Sequence, residues 1–208
     1  MITKAKSGPV TEARAREIMG KNFFGMDEAV SHFFVVPTEE QFEFLSKVPF
    51  SEETLMECKD THLLVAVFPM SIIDIKRLYA NLPDQTLFYP RDWYDAEPFV
   101  NDRGEVGWWL FRKLPVAGSM SKKWEEQSAV LSKDEDTPSA RIVVYSAIGH
   151  FLKSGERLFE SVCVRCADLD SQGFRVLVGR FGAEGFRINA WRGNYVSDDI
   201  GLAAARKQ

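Results

Sequence analysis

Two short segments of this 208-residue chain are apolar on both faces of an extended backbone, and that limits what the chain can fold into. In THLLVAVF (61–68), Leu63, Val65 and Val67 point one way while Leu64, Ala66 and Phe68 point the other. In VGWWLFRK (106–113), Val106, Trp108, Leu110 and Arg112 share one face, and Gly107, Trp109, Phe111 and Lys113 share the opposite one. A strand apolar on both sides needs a layer above it and another below. The tandem Trp108 and Trp109 sharpen that demand. Neighbouring side chains cannot enter one core, so each indole is expected beneath its own layer, with a partner for its N–H.

Helix signals surround these strands. Thr11 precedes EARAREIM, Gly25 precedes MDEAVSHF, Thr38-Glu-Glu-Gln41 forms a capping box before FEFLSK, and Ser51 precedes EETLMECK. Pro37 and Pro49 stand where a proline closes one element without breaking the next. Phe23, Phe24, Val30, Phe33, Phe34, Phe42 and Leu45 are the expected inward faces of these helices. Ser71-Ile-Ile-Asp74 opens another helix, to about Ala80, after which Pro83, Pro90 and Pro98 mark an irregular excursion. A helix is expected over 122–131. Asp134, Glu135 and Asp136 then suit the dipole of a following helix, with Pro138 at its first position. That helix, SARIVVYSAIGHFLKSG, is apolar around most of its circumference, which predicts burial, and Gly155 ends it.

RLFESVCVRCADL, GFRVLVGRF and GFRINAWR read as a C-terminal β-meander broken by turns at 170–173 and 182–185. The tail, SDDIGLAAARKQ, is expected as a short helix or a frayed end. The expected fold is α+β, a mixed or antiparallel sheet of about five strands with helices on both faces and a helical N-terminal region. The expected organisation is an acidic short-helix region, 1–60, packed on an α+β core, 61–208, that ends in the meander.

A chain of this length buries roughly 70% of its unfolded surface and needs neither metal nor disulfide to fold. Its 45% hydrophobic and 27% charged content is that of a globular protein. Three cysteines, an odd number, are expected as free thiols in a reducing compartment. MITKAKSGPV has no apolar run of a secretory signal, and the longest apolar run, 63–70, is too short to cross a bilayer. The expected location is the cytoplasm, away from membranes. Residues 1–60 carry 7 Lys/Arg against 11 Asp/Glu, which accounts for the whole net charge of −4. Neither part has the basic stripe that phosphate neutralisation requires. MDEAVSHF and TEEQFEFLSK are acidic, the wrong sign for recognition helices, so nucleic acid is not an expected partner.

Catalytic and metal patterns mostly fail. Cys58, His62, Cys163 and Cys166 could formally supply four zinc ligands. Residues three apart in a strand face opposite sides, however, and no glycine near Cys163 and Cys166 makes a knuckle. The cysteines read as small apolar fillers, and no metal or other cofactor is expected. Ser146 and His150 share a helix face without a third group to orient the base. Pro83 and Asp84 could open a metal-nuclease pattern, but no nearby downstream D/E-x-K completes it. Arg165, Arg175, Arg180, Arg187 and Arg192 punctuate the meander, yet Arg175 and Arg180 face opposite ways, as do Arg187 and Arg192.

Binding chemistry concentrates in the excursion 88–109. Tyr89, Trp93 and Tyr94 stand among Arg91, Asp92 and Asp95, offering stacking faces beside short carboxylates and a guanidinium. The plainer and favoured reading is that a proline-rich loop uses its aromatics to pin itself to the core. The candidate ligand-binding residues are Arg91, Asp92, Trp93, Tyr94 and Asp95, joined by Trp108 where one indole reaches the mouth of a groove. The expected function is a non-catalytic binding or protein-interaction module, a monomer or homodimer, with a protein partner or a small ligand. The alternative is an enzyme acting on a small organic or phosphorylated substrate, with Asp60, His62 and the 91–95 loop as its site. Convergent polar groups with shifted pKa values in a deep pocket favour the enzyme, and an exposed apolar patch favours the binder.

Overall fold

The computed structural model describes residues 8–80 and 86–207; Pro83 and Asp84, like the first seven residues, lie outside them. The N-terminal part runs β1 (Val10–Thr11), α1 (Glu12–Met19), β2 (Phe23–Phe24), α2 (Met26–Phe33), α3 (Glu39–Leu45), β3 (Lys47–Val48) and α4 (Glu52–Cys58). Next come β4 (His62–Val67), α5 (Ile72–Leu78), α6 (Pro98–Asn101), β5 (Gly107–Arg112), α7 (Trp124–Ala129), β6 (Glu135–Asp136) and α8 (Ala140–Ser154). The chain closes with β7 (Cys163–Leu169), β8 (Arg175–Gly182), β9 (Gly185–Trp191), β10 (Ile200–Leu202) and β11 (Ala205–Arg206).

Side-chain chemistry starts the helices. Thr11, Thr38, Ser51, Ser71 and Ser139 each accept the backbone N–H three residues on. Gln41 and Asp74 return the bond to the backbone N–H of Thr38 and Ser71, completing two capping boxes. Gly155 closes α8 at φ 76°, in the left-handed region.

The architecture is α+β, with a mixed five-stranded sheet in the order β2-β4-β5-β11-β6. β4 runs parallel to β2 and antiparallel to β5, and all six of its residues are buried. The meander builds a second sheet in the order β10-β7-β8-β9. α8 contacts β4 of the first sheet and β7 and β8 of the second, and residues 140–150 are buried without a break. A helix held between two sheets has no wet side, which explains its missing polar face. α2 packs on both α8 and β4. Among the described residues no helix is long and apolar enough to cross a membrane.

Several local expectations change. Phe23 and Phe24 form β2 opposite Leu64 and Val65 instead of lining a helix. Val30, Phe34 and Phe42 are 43%, 66% and 60% exposed. Phe34 occupies the left-handed C-cap of α2, and α3 buries only Leu45. Glu135 and Asp136 form a strand beside β11, so the acidic run does not lead into α8, and Pro138 stands before the Ser139 cap. The tail is neither helix nor fray. β11 inserts between β5 and β6, with Ala205 opposite both Phe111 and Asp136, and Leu202, Ala203, Ala204 and Ala205 are buried. Of the two tryptophans Trp108 is fully covered, whereas Trp109 packs against the core and stays partly in water. Trp108 is 1% exposed and donates Nε1–H to Leu45 O at 3.1 Å, while Trp109 is half-buried.

Candidate functional site

The aromatic segment 88–95 is fastened to its surroundings. The Tyr89 N–H donates to Phe186 O at 3.0 Å and Trp93 Nε1–H to Ile188 O at 3.1 Å, which ties the segment to β9. Lys76 of α5 donates to Asp95 Oδ1 at 2.6 Å and to Arg91 O at 3.1 Å, and lies 4.7 Å over the Tyr94 ring. Tyr94 is buried edge-on to Trp93, with ring centroids 5.7 Å apart, and burial raises its phenol pKa. Arg91, Asp92 and Asp95 are exposed. The structure therefore gathers Trp93, Tyr94 and Asp95 around Lys76. Trp108 lies elsewhere, against Phe23 at 5.6 Å and Leu45.

Asp60 and His62 do not join that loop. His62 opens β4 opposite Arg112, whereas the loop is held by α5, which follows the other end of the strand. Around His62 lies a buried polar knot. Thr61 Oγ1 is 2.8 Å from Nδ1, and Glu135 Oε1 is 3.6 Å from Nε2 while accepting Arg112 Nε–H at 2.6 Å. Burial first, then the Arg112 cation, push the imidazole pKa down to about 4, so it is neutral near pH 7. Cys58 is buried nearby with its thiol pKa raised by burial, the condition of an inert thiol. The knot fastens β4, β5 and β6 at one end of the sheet.

The remaining sequence constellations are likewise drawn into packing. Cys163 and Cys166 are buried free thiols; burial pushes Cys163 up to about 12 and Cys166 well above its ordinary value. Among the described residues no group of three side chains is placed to hold a metal ion. His150 meets Glu156 at 3.1 Å and not Ser146. Each meander arginine has its own setting. Arg165 is buried and donates to Lys122 O, Gln127 Oε1 and Tyr195 O; Arg180 pairs with Asp199, and Arg187 with Glu184 at 2.9 Å. Arg175 stacks 3.8 Å over Trp124 and Arg192 lies 5.7 Å over Phe174.

Two grooves stand out. The larger, about 760 Å³, lies between segments 112–120 and 156–162, with Asp60 and Thr61 in its lining. Its rim cations are already engaged. Arg112 holds Glu135, Lys113 holds Glu156 at 3.0 Å, and Arg157 packs on the Phe151 and Phe181 rings. The other, about 500 Å³, is lined by Pro9, Glu40, Glu43, Phe44, Lys47 and Pro49, with buried Trp108 as its floor.

This second groove follows from local chemistry. β1 pairs antiparallel with β3, setting Val10 opposite Val48, and α3 is drawn down by buried Leu45, whose carbonyl receives the Trp108 indole. Residues two apart on a helix differ by roughly 200° in direction, so Phe42 and Phe44 straddle the Leu45 stripe. Both remain exposed, at 60% and 55%. Phe44 was not among the candidates from sequence. The signal was there, since EEQFEFL cannot bury Phe42, Phe44 and Leu45 on one face. Glu39, Glu40 and Glu43 meet no cation within ion-pair distance among the described residues; the first two suit the dipole at the start of α3.

Comparison of the chain with family models, with curated proteins and with solved structures gives no match.

Proposed function

We propose that this protein is a non-catalytic interaction module that docks a protein partner in the groove between α3, the β1–β3 pair and Trp108. The observation that carries this reading is Phe44, more than half exposed on the rim of an apolar-floored groove. Phe34, Val36 and Phe42 are 66%, 89% and 60% exposed along the same stretch of chain, outside the groove lining. A large ring left in water beside an apolar floor is the mark of a contact surface. The interior points the same way. Its thiols are protonated, and the buried His62 imidazole is neutral.

The test is Phe44→Ser, compared with wild type for unfolding in urea and for proteins recovered by affinity capture from cells that make the chain. Unchanged stability with loss of the recovered partners supports the reading. Recovery of the same partners by both proteins overturns it.

A second reading, an enzyme on a small organic or phosphorylated substrate, is favoured by one observation: Asp60 lines the larger groove beside Thr61. The 91–95 loop is not part of that groove. A thermal-shift screen of small organic and phosphorylated compounds tests it, since a bound compound raises the melting midpoint by mass action. A stabilising compound whose effect is lost in Asp60→Asn supports the enzyme, and a screen without one counts against it.

A further inference from the structure

We infer that the partner segment fitting the Phe44 groove is basic and carries one large apolar anchor side chain, an inference that rests on the docking reading above. The lining sets two carboxylates, Glu40 and Glu43, against one ammonium, Lys47. Glu39 adds a third carboxylate on the same short helix.

Elsewhere in the N-terminal region several acids reach a cation. Glu12, Asp27 and Glu28 meet Arg16, Glu17 and Glu52 meet Arg14, and Glu57 meets Arg206. On α3, by contrast, none of the three carboxylates meets a cation among the described residues. Glu39 and Glu43 are four apart and Glu40 and Glu43 three apart, spacings at which like charges on a helix repel. A cation arriving between them relieves that repulsion, so this rim favours lysine or arginine over an acidic segment. Below the rim the chemistry changes. Phe44, Pro9 and Pro49 stand around the Trp108 floor, a setting for a leucine, phenylalanine or tryptophan side chain. A basic segment with such an anchor satisfies rim and floor together.

The experiment replaces Phe44 with the photo-cross-linker p-benzoylphenylalanine, irradiates cells that make the full chain, and sequences the captured peptides. The same residue placed at exposed Lys133 is the control. Captured partner segments with net positive charge and a large apolar residue support the inference. Acidic or neutral partner segments overturn it, as do a second copy of this chain or its own residues 1–7. Capture no greater than at Lys133 overturns the docking reading itself.

Purified protein separates the two claims again, using a labelled short peptide of lysine, leucine and one tryptophan, and its glutamate-for-lysine counterpart. The lysine peptide is expected to bind, with Glu40→Gln/Glu43→Gln weakening it by about fivefold, a loss that shrinks with added salt. Equal binding of the lysine peptide to wild type and to the double variant overturns the charge inference alone. Binding that is indifferent to Phe44→Ser overturns the docking reading.

Discussion

At His62, water is excluded from the imidazole and Arg112 lies close, and together they hold its pKa near 4 in the folded chain. In the unfolded chain the ring titrates near about 6.5. Between those values the unfolded state takes up the proton and the folded state does not. The stability from a neutral His62 is therefore complete above the unfolded value and lost as pH falls toward the folded one. His32 and His150, also lowered chiefly by burial, act in the same direction. Urea midpoints are expected to fall between about pH 7 and pH 5, and less steeply in His62→Gln; a midpoint flat over that range contradicts this. Trp93 is a different case. In sequence it reads either as a ligand contact or as a ring that pins its loop to the core, and in the structure it donates to Ile188 O and packs on Tyr94 and Phe99. Trp93→Ala is expected to cost roughly 2 kcal/mol, and an unchanged urea midpoint would return the ring to the candidates for binding.

Among the elements, α7 and the turn around Tyr195 are tied to β7 by one buried guanidinium. Arg165 donates to Gln127 Oε1 at 2.7 Å, to Lys122 O at 3.0 Å and to Tyr195 O. Arg165→Met leaves buried acceptors without donors and is expected to cost roughly 3 kcal/mol. Arg165→Lys is expected to rescue little, because one ammonium lacks the fork that reaches all three; full rescue contradicts the assignment. The β8–β9 hairpin depends on Gly185, at φ 95°, where a Cβ would lie 2.5 Å from the Phe88 carbonyl carbon. Gly185→Ala is expected to cost roughly 1–3 kcal/mol, read from the urea midpoint.

Elements whose cause is local were legible. The Thr11, Thr38, Ser51 and Ser71 caps need only a residue three positions on, and β4 and β5 carry apolar residues on both faces. β2, β10 and β11 were not legible, since two or three residues become a strand only through a partner distant in sequence. The same limit hid the groove. Phe44 is plain in the sequence, but Pro9, Pro49 and Trp108 come beside it only after β1, β3 and β5 are placed.

Across the whole molecule, the C-terminal segment joins the two sheets. β10 runs along β7 in one sheet, and three residues later β11 fills the place between β5 and β6 in the other. α8, lying between the sheets, is covered only when both are formed. Deleting residues 199–208 is expected to expose α8 and abolish cooperative unfolding, seen as rapid proteolysis and a featureless urea transition. A truncated chain that unfolds cooperatively with wild-type stability contradicts that joining role.

The functional account needs one division of labour within the N-terminal helices, with some aromatics serving the core and others facing a partner. Phe33 and Phe44 represent the two sides. Phe33 is 1% exposed with its ring 4.4 Å from Tyr145, whereas Phe44 is 55% exposed on the groove rim. The direct measurement is the unfolding free energy of Phe33→Ala and of Phe44→Ala in urea under the same conditions. The account predicts a loss of roughly 3–5 kcal/mol for Phe33→Ala and under about 1 kcal/mol for Phe44→Ala. Equal losses would contradict it, because Phe44 would then be a structural ring and not one held ready for a partner.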